Sequence, residues 1–562
     1  MDGVKTNVCA PRCGVKIWRA IWAEEPAPPS RMKDTAAHTT PRQKAKSTNL
    51  MERLFQYALG LDSSSVTHGT FWSEHGQSAF VTSRWQSPCP HAGPVRLHHH
   101  EKIRTNFSRV RHVVVADPVA SNESAVALPD SAPNFSLWPR GIGLSTPSLK
   151  DANYFAWLLF LALLAAPALV VLIYFSIQGK LGDFAYFYGD GILANQNHSA
   201  NLYNWQAQQQ VFQQLVHQQP GANSMPGPSP YPPFVALFFS LFAHLPAGIA
   251  LLLWVAVSLT LYVTAVRAVL RSLFPCDTRL RSLLMCGSLA FPMFFINALA
   301  NGQLSAIAVF AFGMAIASEK RIQPYRSGLF LSILVYKPTL LFVLLPMLLF
   351  TRRWKALAGF ATGTSALTLV STIFQGPEIW PAYWKFLQFF RHLTTVNSPP
   401  VFFHWQFIDF NSFCNGLWSS HPVVAAAVRT AAVLPLACIL AVLFLRIPKA
   451  NQQAQNLVWA ATLCWTLLLN IYVPLYDGSL FVLAFLLTAG AVLITRQIET
   501  LRTIVWLGTA VFVAGFFSKD IAKARGFQIL TLLIALFGLI QLFLLANLAF
   551  PRPGSPSVTL ES

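Results

Sequence analysis

From residue 154 to residue 550 the chain is a succession of apolar runs separated by short loops, and many of the runs are long enough to cross a bilayer. A helix rises about 1.5 Å per residue, so about 20 apolar residues span a hydrocarbon core of roughly 30 Å. Because 54% of the residues are hydrophobic and only 11% are charged, a soluble globule of this length would lack a polar surface. The sequence therefore predicts an all-α integral membrane protein.

The Lys and Arg residues between these runs orient them, because cytoplasmic loops are enriched in basic side chains. This threading predicts a bundle of about ten to twelve membrane segments. The first of them is residues 154–177, and three later ones are residues 356–374, 423–444 and 504–517. Residues 327–350 are flanked by basic residues and contain Lys337-Pro338 in the middle, so they are expected to form a broken hairpin with Lys337 near its outer tip. Between residues 183 and 231, apolar residues at helical spacing indicate a helix in the membrane interface or one packed on the bundle.

Residues 1–150 differ from the rest, since they are basic, rich in Ser, Thr, Pro and His, and without a sustained apolar period. We expect them to be mostly disordered, as we do for residues 551–562, with residues 151–550 forming the membrane domain. A wrongly assigned start codon would explain the first segment equally well, and a soluble partner-binding arm is the functional alternative. The net charge of +19 is concentrated there and in short loops, so no nucleic-acid partner is expected. The scattered cysteines predict neither disulfides nor a metal site, and no cofactor is expected.

The threading gathers polar residues on the outer face of the membrane. Asp183 follows the first run by about two helical turns, at the level where a base acting on a lipid-linked substrate is needed. Six further residues fall on the same face, namely Asp190, Tyr231, Asn301, Gln303, Asn411 and Asp477, and Lys337 points toward it. Polar residues at membrane level are costly and tend to mark function. Each one alone is equally well explained as a loop or cap residue, but their convergence favours a site.

Several short motifs occur in a fixed order along the membrane domain. They read Asp183-Phe184, Leu202-Tyr203, Tyr231-Pro232-Pro233-Phe234, Asn301-Gly302-Gln303, Lys337-Pro338, Arg352-Arg353-Trp354 and Asn411-Ser412. In order and spacing they resemble glycosyltransferase family 87 over about residues 150–550. The resemblance implies a GT-C-like helical bundle and a donor of the polyprenyl-phosphate-sugar class, as in the mannosyltransferases of that family. Many relatives carry Ser-Pro in the last outer loop, where this chain has Pro474-Leu475-Tyr476-Asp477, so the sugar and the acceptor stay open.

Such a transfer needs a base for the acceptor hydroxyl and cations for the departing phosphate. Asp183 is the predicted catalytic base. Lys337, Arg391 and His392 are candidates for binding the phosphate, although Lys337 would also suit a structural role with its ammonium at the surface. The six polar residues of the outer face are candidate substrate-binding residues. No glycine-rich nucleotide loop or Asp-x-Asp metal pair is present, which argues against a nucleotide-sugar donor.

The sequence therefore predicts an inverting hexosyltransferase, with mannose as one candidate sugar, in the inner (cytoplasmic) membrane and with its site on the outer face. Its partners would be a polyprenyl-phosphate sugar, a glycolipid or glycan acceptor, and the bilayer. The alternative is a polytopic transporter or lipid-linked sugar flippase. Proteins of that kind carry ionisable residues within their spans and often show repeated halves, and neither feature is evident here. A non-catalytic membrane scaffold is a third possibility.

Overall fold

The computed structural model describes residues 159–164, 166, 170, 173–174, 181–196, 199–216, 228–396, 403–447, 451–495 and 497–550. The predicted disordered segments, 1–150 and 551–562, and most of the predicted first span, 154–177, lie outside these residues. The described part from residue 181 onward is built from helices and contains no sheet, apart from an isolated antiparallel bridge between Phe407 and Pro474. The fold is all-α, as the sequence predicts.

The first eight of these α-helices are α1 (Phe184–Asn195), α2 (Ser199–Leu202), α3 (Trp205–Val216), α4 (Pro233–Ser240), α5 (Ala247–Leu273), α6 (Thr278–Leu289), α7 (Ser305–Lys320) and α8 (Pro324–Ser332). The remaining ones are α9 (Leu341–Phe350), α10 (Trp354–Gln375), α11 (Ile379–Val396), α12 (Phe410–Leu417), α13 (Pro422–Arg446), α14 (Gln452–Leu468), α15 (Phe481–Ile494), α16 (Ile498–Arg525) and α17 (Ile529–Ala549).

Six helical segments of the described chain are long and apolar enough to cross a membrane. They are α5, α10, α13, α16, α17 and the segment Leu475–Ile494, in which a 3₁₀ turn leads into α15. A seventh forms if α6 and the π-helical turn Met293–Leu299, bent by 42°, are counted together. The protein is therefore a multi-pass membrane protein. The number of segments predicted from the sequence is larger for two reasons. It includes the first apolar run and the two hairpin arms, and it includes α7 and α14, which are only 16 and 17 residues long.

Burial divides the bundle into inner and outer helices. The segment Leu475–Ile494 has 83% of its most apolar stretch buried inside the protein, whereas α10 has 11% and α13 has 17%. An apolar helix with so little protein around it has to be covered by lipid. The outer helices therefore face the bilayer. Helix α14 is buried in protein along nearly its whole length, so its length does not have to equal the thickness of the bilayer.

The predicted broken hairpin is present. Its arms are α8 and α9, and between them two 3₁₀ turns meet at Lys337. The Tyr336 hydroxyl donates to the Leu304 carbonyl (3.3 Å) just before α7 begins. Arg353, which follows α9, pairs with Glu319 near the other terminus of α7. Because α7 is about 24 Å long, Lys337 lies at one end of the bundle, which we call the Lys337 end, and the arms run to the opposite Arg353 end.

Two glycines let the first arm pack closely on α10. A Cβ atom on Gly328 of α8 would overlap the carbonyl oxygen of Ala356, and one on Gly359 of α10 would overlap that of Tyr325. Small residues at such crossings allow two helix backbones to approach directly, which is a common way to hold helices together in a membrane. This contact fixes the helix that leads into Lys337.

Candidate active site

The segment that carries Asp183-Phe184 and the turn Asn301-Gly302-Gln303 meet at the Lys337 end through two glycines, Gly182 and Gly302. Gly182 (φ 55°) and Gly302 (φ 66°) adopt left-handed backbone conformations that other residues rarely tolerate. A Cβ atom on Gly302 would lie 2.7 Å from that of Phe184, and one on Gly182 would be 3.4 Å from the Asn301 carbonyl oxygen. The Trp254 indole donates to the Gly302 carbonyl (2.9 Å). The segment before α1 is therefore held against the turn before α7.

This packing brings a carboxylate and an amide together. The side-chain amide of Gln303 donates a hydrogen bond to Asp183, and the Asp183 side chain makes no capping bond to α1. Burial raises the pKa of Asp183 above its ordinary value, and the Gln303 hydrogen bond and the positive charge of Lys519 oppose that rise. A carboxylate with a raised pKa is a stronger base once it is ionised.

A buried ion pair lies next to this carboxylate. The Lys337 ammonium binds the Asp477 carboxylate, and their side chains are only 14% and 1% exposed. The Ser305 hydroxyl donates to the other oxygen of Asp477 (3.0 Å), and the Lys337 nitrogen lies 5.0 Å from the centroid of the Tyr476 ring. The charge of Lys337 thus already has a protein partner, which the sequence did not reveal.

Tyr231 lies near both carboxylates, since the charges of Asp477 and Asp183 both act on it. Its ring is stacked on that of Tyr336, with centroids 6.5 Å apart and an interplanar angle of 13°. Burial raises the pKa of Tyr231, and the negative charges of Asp477 and Asp183 add to the rise. The sequence-predicted residues Asp183, Gln303, Tyr231, Lys337 and Asp477 therefore form one group, which we call the carboxylate site.

Asp190 lies behind this group and is 5% exposed. The Ser229 hydroxyl donates to its carboxyl group, and the Ser229 amide donates to the side chain of Gln208 (3.2 Å). Burial raises the pKa of Asp190 to about 8, so near pH 7 the group is mostly protonated. The hydrogen bond between Ser229 and Asp190 links α1 to the segment before α4. Substrate binding by Asp190 stays a prediction.

The remaining predicted residues have other surroundings. Asn411 is buried in α12, where its side-chain oxygen accepts a hydrogen bond from Arg429 of α13. The Asn301 side chain donates to the Asn297 carbonyl (3.1 Å). Arg391 and His392 are exposed on α11. Substrate binding by these four residues also stays a prediction.

Lys519 is the charged residue near Asp183 that the sequence reasoning missed. The predicted span ended at residue 517, but α16 continues to Arg525 and carries Lys519 at the Lys337 end. The Lys519 ammonium lies 5.5 Å from the centroid of the Trp405 ring. Basic residues are scarce on the outer side of a membrane protein. Lys519 directly follows an apolar run that ends on the predicted outer side, and this position could have identified it as a candidate.

Among the described residues no cluster of three or more His, Cys, Asp or Glu side chains is arranged to hold a metal ion. The family model described as glycosyltransferase family 87 matches residues 230–470. This range is narrower than the resemblance expected from the motifs, and it includes Tyr231, Gln303 and Lys337 but neither Asp183 nor Asp477. No curated protein and no solved structure matches the chain.

Proposed function

Because this multi-pass membrane protein carries a glycosyltransferase family 87 domain over residues 230–470, we propose that it transfers a hexose from a polyprenyl phosphate to a hydroxyl of a glycolipid or glycan acceptor. One observation carries the proposal. The Gln303 side chain of that domain holds the Asp183 carboxylate at one end of the bundle, where a base would meet a substrate anchored in the bilayer. Mannose is one candidate sugar.

The reaction is a single displacement at the anomeric carbon of the donor. The acceptor oxygen attacks that carbon and forms the new glycosidic bond, while Asp183 takes the hydroxyl proton. The bond between the anomeric carbon and the phosphate oxygen breaks, and its electron pair leaves with the polyprenyl phosphate. Attack opposite the leaving group inverts the anomeric configuration. Gln303 orients the carboxylate through its hydrogen bond.

The position of the site within the bundle supports a lipid-linked donor. The isoprenoid tail of such a donor lies in the bilayer and its phosphate lies at the surface, level with helix ends such as the hairpin tip at Lys337. Arg352, Arg353 and Lys355 at the opposite end have the basic character of cytoplasmic ends. This charge distribution supports a site on the outer face of the inner (cytoplasmic) membrane.

The test is an assay of purified protein with radiolabelled polyprenyl-phosphate hexoses and with nucleotide hexoses. We expect transfer from a polyprenyl-phosphate hexose. The variant Asp183→Asn should lower kcat by about 10²-fold or more, because it removes the base but keeps the side-chain shape. Activity of the wild type should fall as the pH drops through the raised pKa of Asp183, because protonation also removes the base.

Asp277→Asn is the matched control. Asp277 caps α6 by accepting a hydrogen bond from the Leu280 amide (2.8 Å), and asparagine caps a helix equally well, so this variant should transfer normally. Near-normal turnover by Asp183→Asn would exclude Asp183 as the base. Transfer from nucleotide hexoses alone would rule out the lipid-linked donor.

A further inference from the structure

Helix α16 reaches the carboxylate site through close packing on residues 292–293. A Cβ atom on Gly515 would lie 2.7 Å from the Pro292 ring and 3.4 Å from the Met293 methyl carbon. On its other side the Met293 sulfur fills the space beside Gly478, where a Cβ atom would overlap it. Gly478 directly follows Asp477. Lys519 is one helical turn beyond Gly515, so α16 carries it toward Asp183, whose negative charge acts on the Lys519 ammonium.

The Lys519 ammonium also contacts an aromatic ring, that of Trp405, whose position is held by a hydrogen bond to the neighbouring residue. The ammonium lies 5.5 Å from the centroid of the Trp405 ring, and Trp405 belongs to the short turn His404–Gln406. The Gln528 side chain donates to the His404 carbonyl (2.6 Å), which fastens this turn to the start of α17. A cation over an indole ring keeps its charge available for an anion on its open side.

The two lysines of this region differ in how their charge is balanced. Lys337 contacts Asp477 directly. None of the ion pairs within 4.0 Å among the described residues includes Lys519, and the carboxylates that act on its charge from farther away are Asp520 and Asp183. Lys519 is also partly exposed. It is therefore the lysine that can receive an incoming anion without first losing a contact ion pair.

We propose that Lys519 binds the phosphate of the lipid-linked donor, and that Lys337 keeps Asp477 and the hairpin break in place. This inference rests on the proposed function, since it assigns the phosphate within that reaction. A phosphate between Lys519 and Asp183 has the cation on one side and the base near its sugar on the other. Its negative charge grows as the sugar leaves, so a cation fixed there favours the departure.

The experiment compares binding of undecaprenyl phosphate with binding of undecaprenol, the alcohol, to the full-length protein in lipid nanodiscs. The wild type should prefer the phosphate. Lys519→Gln should weaken binding of the phosphate by about tenfold or more, as expected for loss of a hydrogen bond to a charged group, and leave binding of the alcohol unchanged. Lys519→Arg keeps the charge and should retain most of the preference.

Lys355→Gln is the matched control, because Lys355 is an exposed lysine at the Arg353 end. Lys519→Met, which keeps an aliphatic side chain against Trp405, repeats the test if the glutamine variant is unstable. An unchanged preference in a folded Lys519→Gln or Lys519→Met protein would overturn the assignment of Lys519. If the wild type itself binds the phosphate no better than the alcohol, the donor class in the proposed function is wrong.

Discussion

Charged residues at the Lys337 end of this protein have three different environments. Asp183 has an amide donor and no contact ion pair among the described residues, Asp190 is mostly protonated at neutral pH, and Asp477 is paired with Lys337. The carboxylates are the same in kind, and their surroundings decide which one can act as a base. Asp183 differs from the other two because its hydrogen-bond partner is a neutral amide and not a hydroxyl or an ammonium, and this difference is why we propose it as the base.

The ion pair gives a prediction about stability. Lys337→Met leaves the Asp477 carboxylate buried without its partner, which should cost about 3 kcal/mol or more. Adding Asp477→Asn removes the uncompensated charge and should recover part of the loss. Thermal unfolding of the two variants and the wild type in detergent measures this. Equal Tm values for the single and double variants would contradict the buried pair.

The sequence could predict which residues gather at this end but not which of them pair. Membrane threading depends on local hydropathy and on the charges of the loops, and these place Asp183, Lys337 and Asp477 on one face. The Lys337–Asp477 contact joins residues 140 positions apart, and Asp190 meets Ser229 across 39. Such contacts depend on how the helices pack, which hydropathy does not report.

At the level of helices, long apolar runs with abrupt polar ends were predicted well. The expected spans 356–374 and 423–444 correspond to α10 (Trp354–Gln375) and α13 (Pro422–Arg446). Helix α16 was predicted too short because its last two turns are polar, and hydropathy alone assigns such residues to a loop. A helix continues there because its backbone hydrogen bonds do not depend on the polarity of the side chains.

The crossing of α8 and α10 provides a prediction for these helices. Gly359→Ala places a methyl group against the Tyr325 carbonyl, so it should destabilise the protein by about 1–3 kcal/mol through overpacking. It should also lower transfer activity, because α8 leads directly to Lys337. Gly287→Ala in α6 is the control, since a Cβ atom there has no neighbour within 4 Å. Equal thermal stability of the two variants would show that the helices do not cross at Gly359.

Within the described membrane domain, helix α7 is bonded to neighbouring segments at both of its ends. Ser305 at its start bonds to Asp477, and Glu319 near its end pairs with Arg353. The distance between the candidate site and the opposite end is therefore set by one buried helix. Helix α5 begins at the Lys337 end, where Trp254 bonds to Gly302, and its 27 residues run toward the Arg353 end. If the basic Arg353 end is cytoplasmic, the α5–α6 turn must therefore be cytoplasmic too.

Cysteine labelling tests this orientation. In an otherwise cysteine-free protein, the native Cys276, which is exposed between α5 and α6, should react with an impermeant thiol reagent only after the membrane is opened. A cysteine at the exposed Ser420, just before α13, should react in intact cells. The reverse pattern would place the candidate site on the cytoplasmic side.

The broken hairpin also has a consequence for synthesis of the protein. Lys337 enters the membrane region 140 residues before Asp477 is made, which at 5–20 residues per second is a delay on the order of ten seconds. During that time Asp477, the carboxylate that the ammonium binds in the folded protein, is absent. A helix crossing the full bilayer would hold the charge in hydrocarbon, but a hairpin tip keeps it at the surface, in contact with water, until its partner arrives.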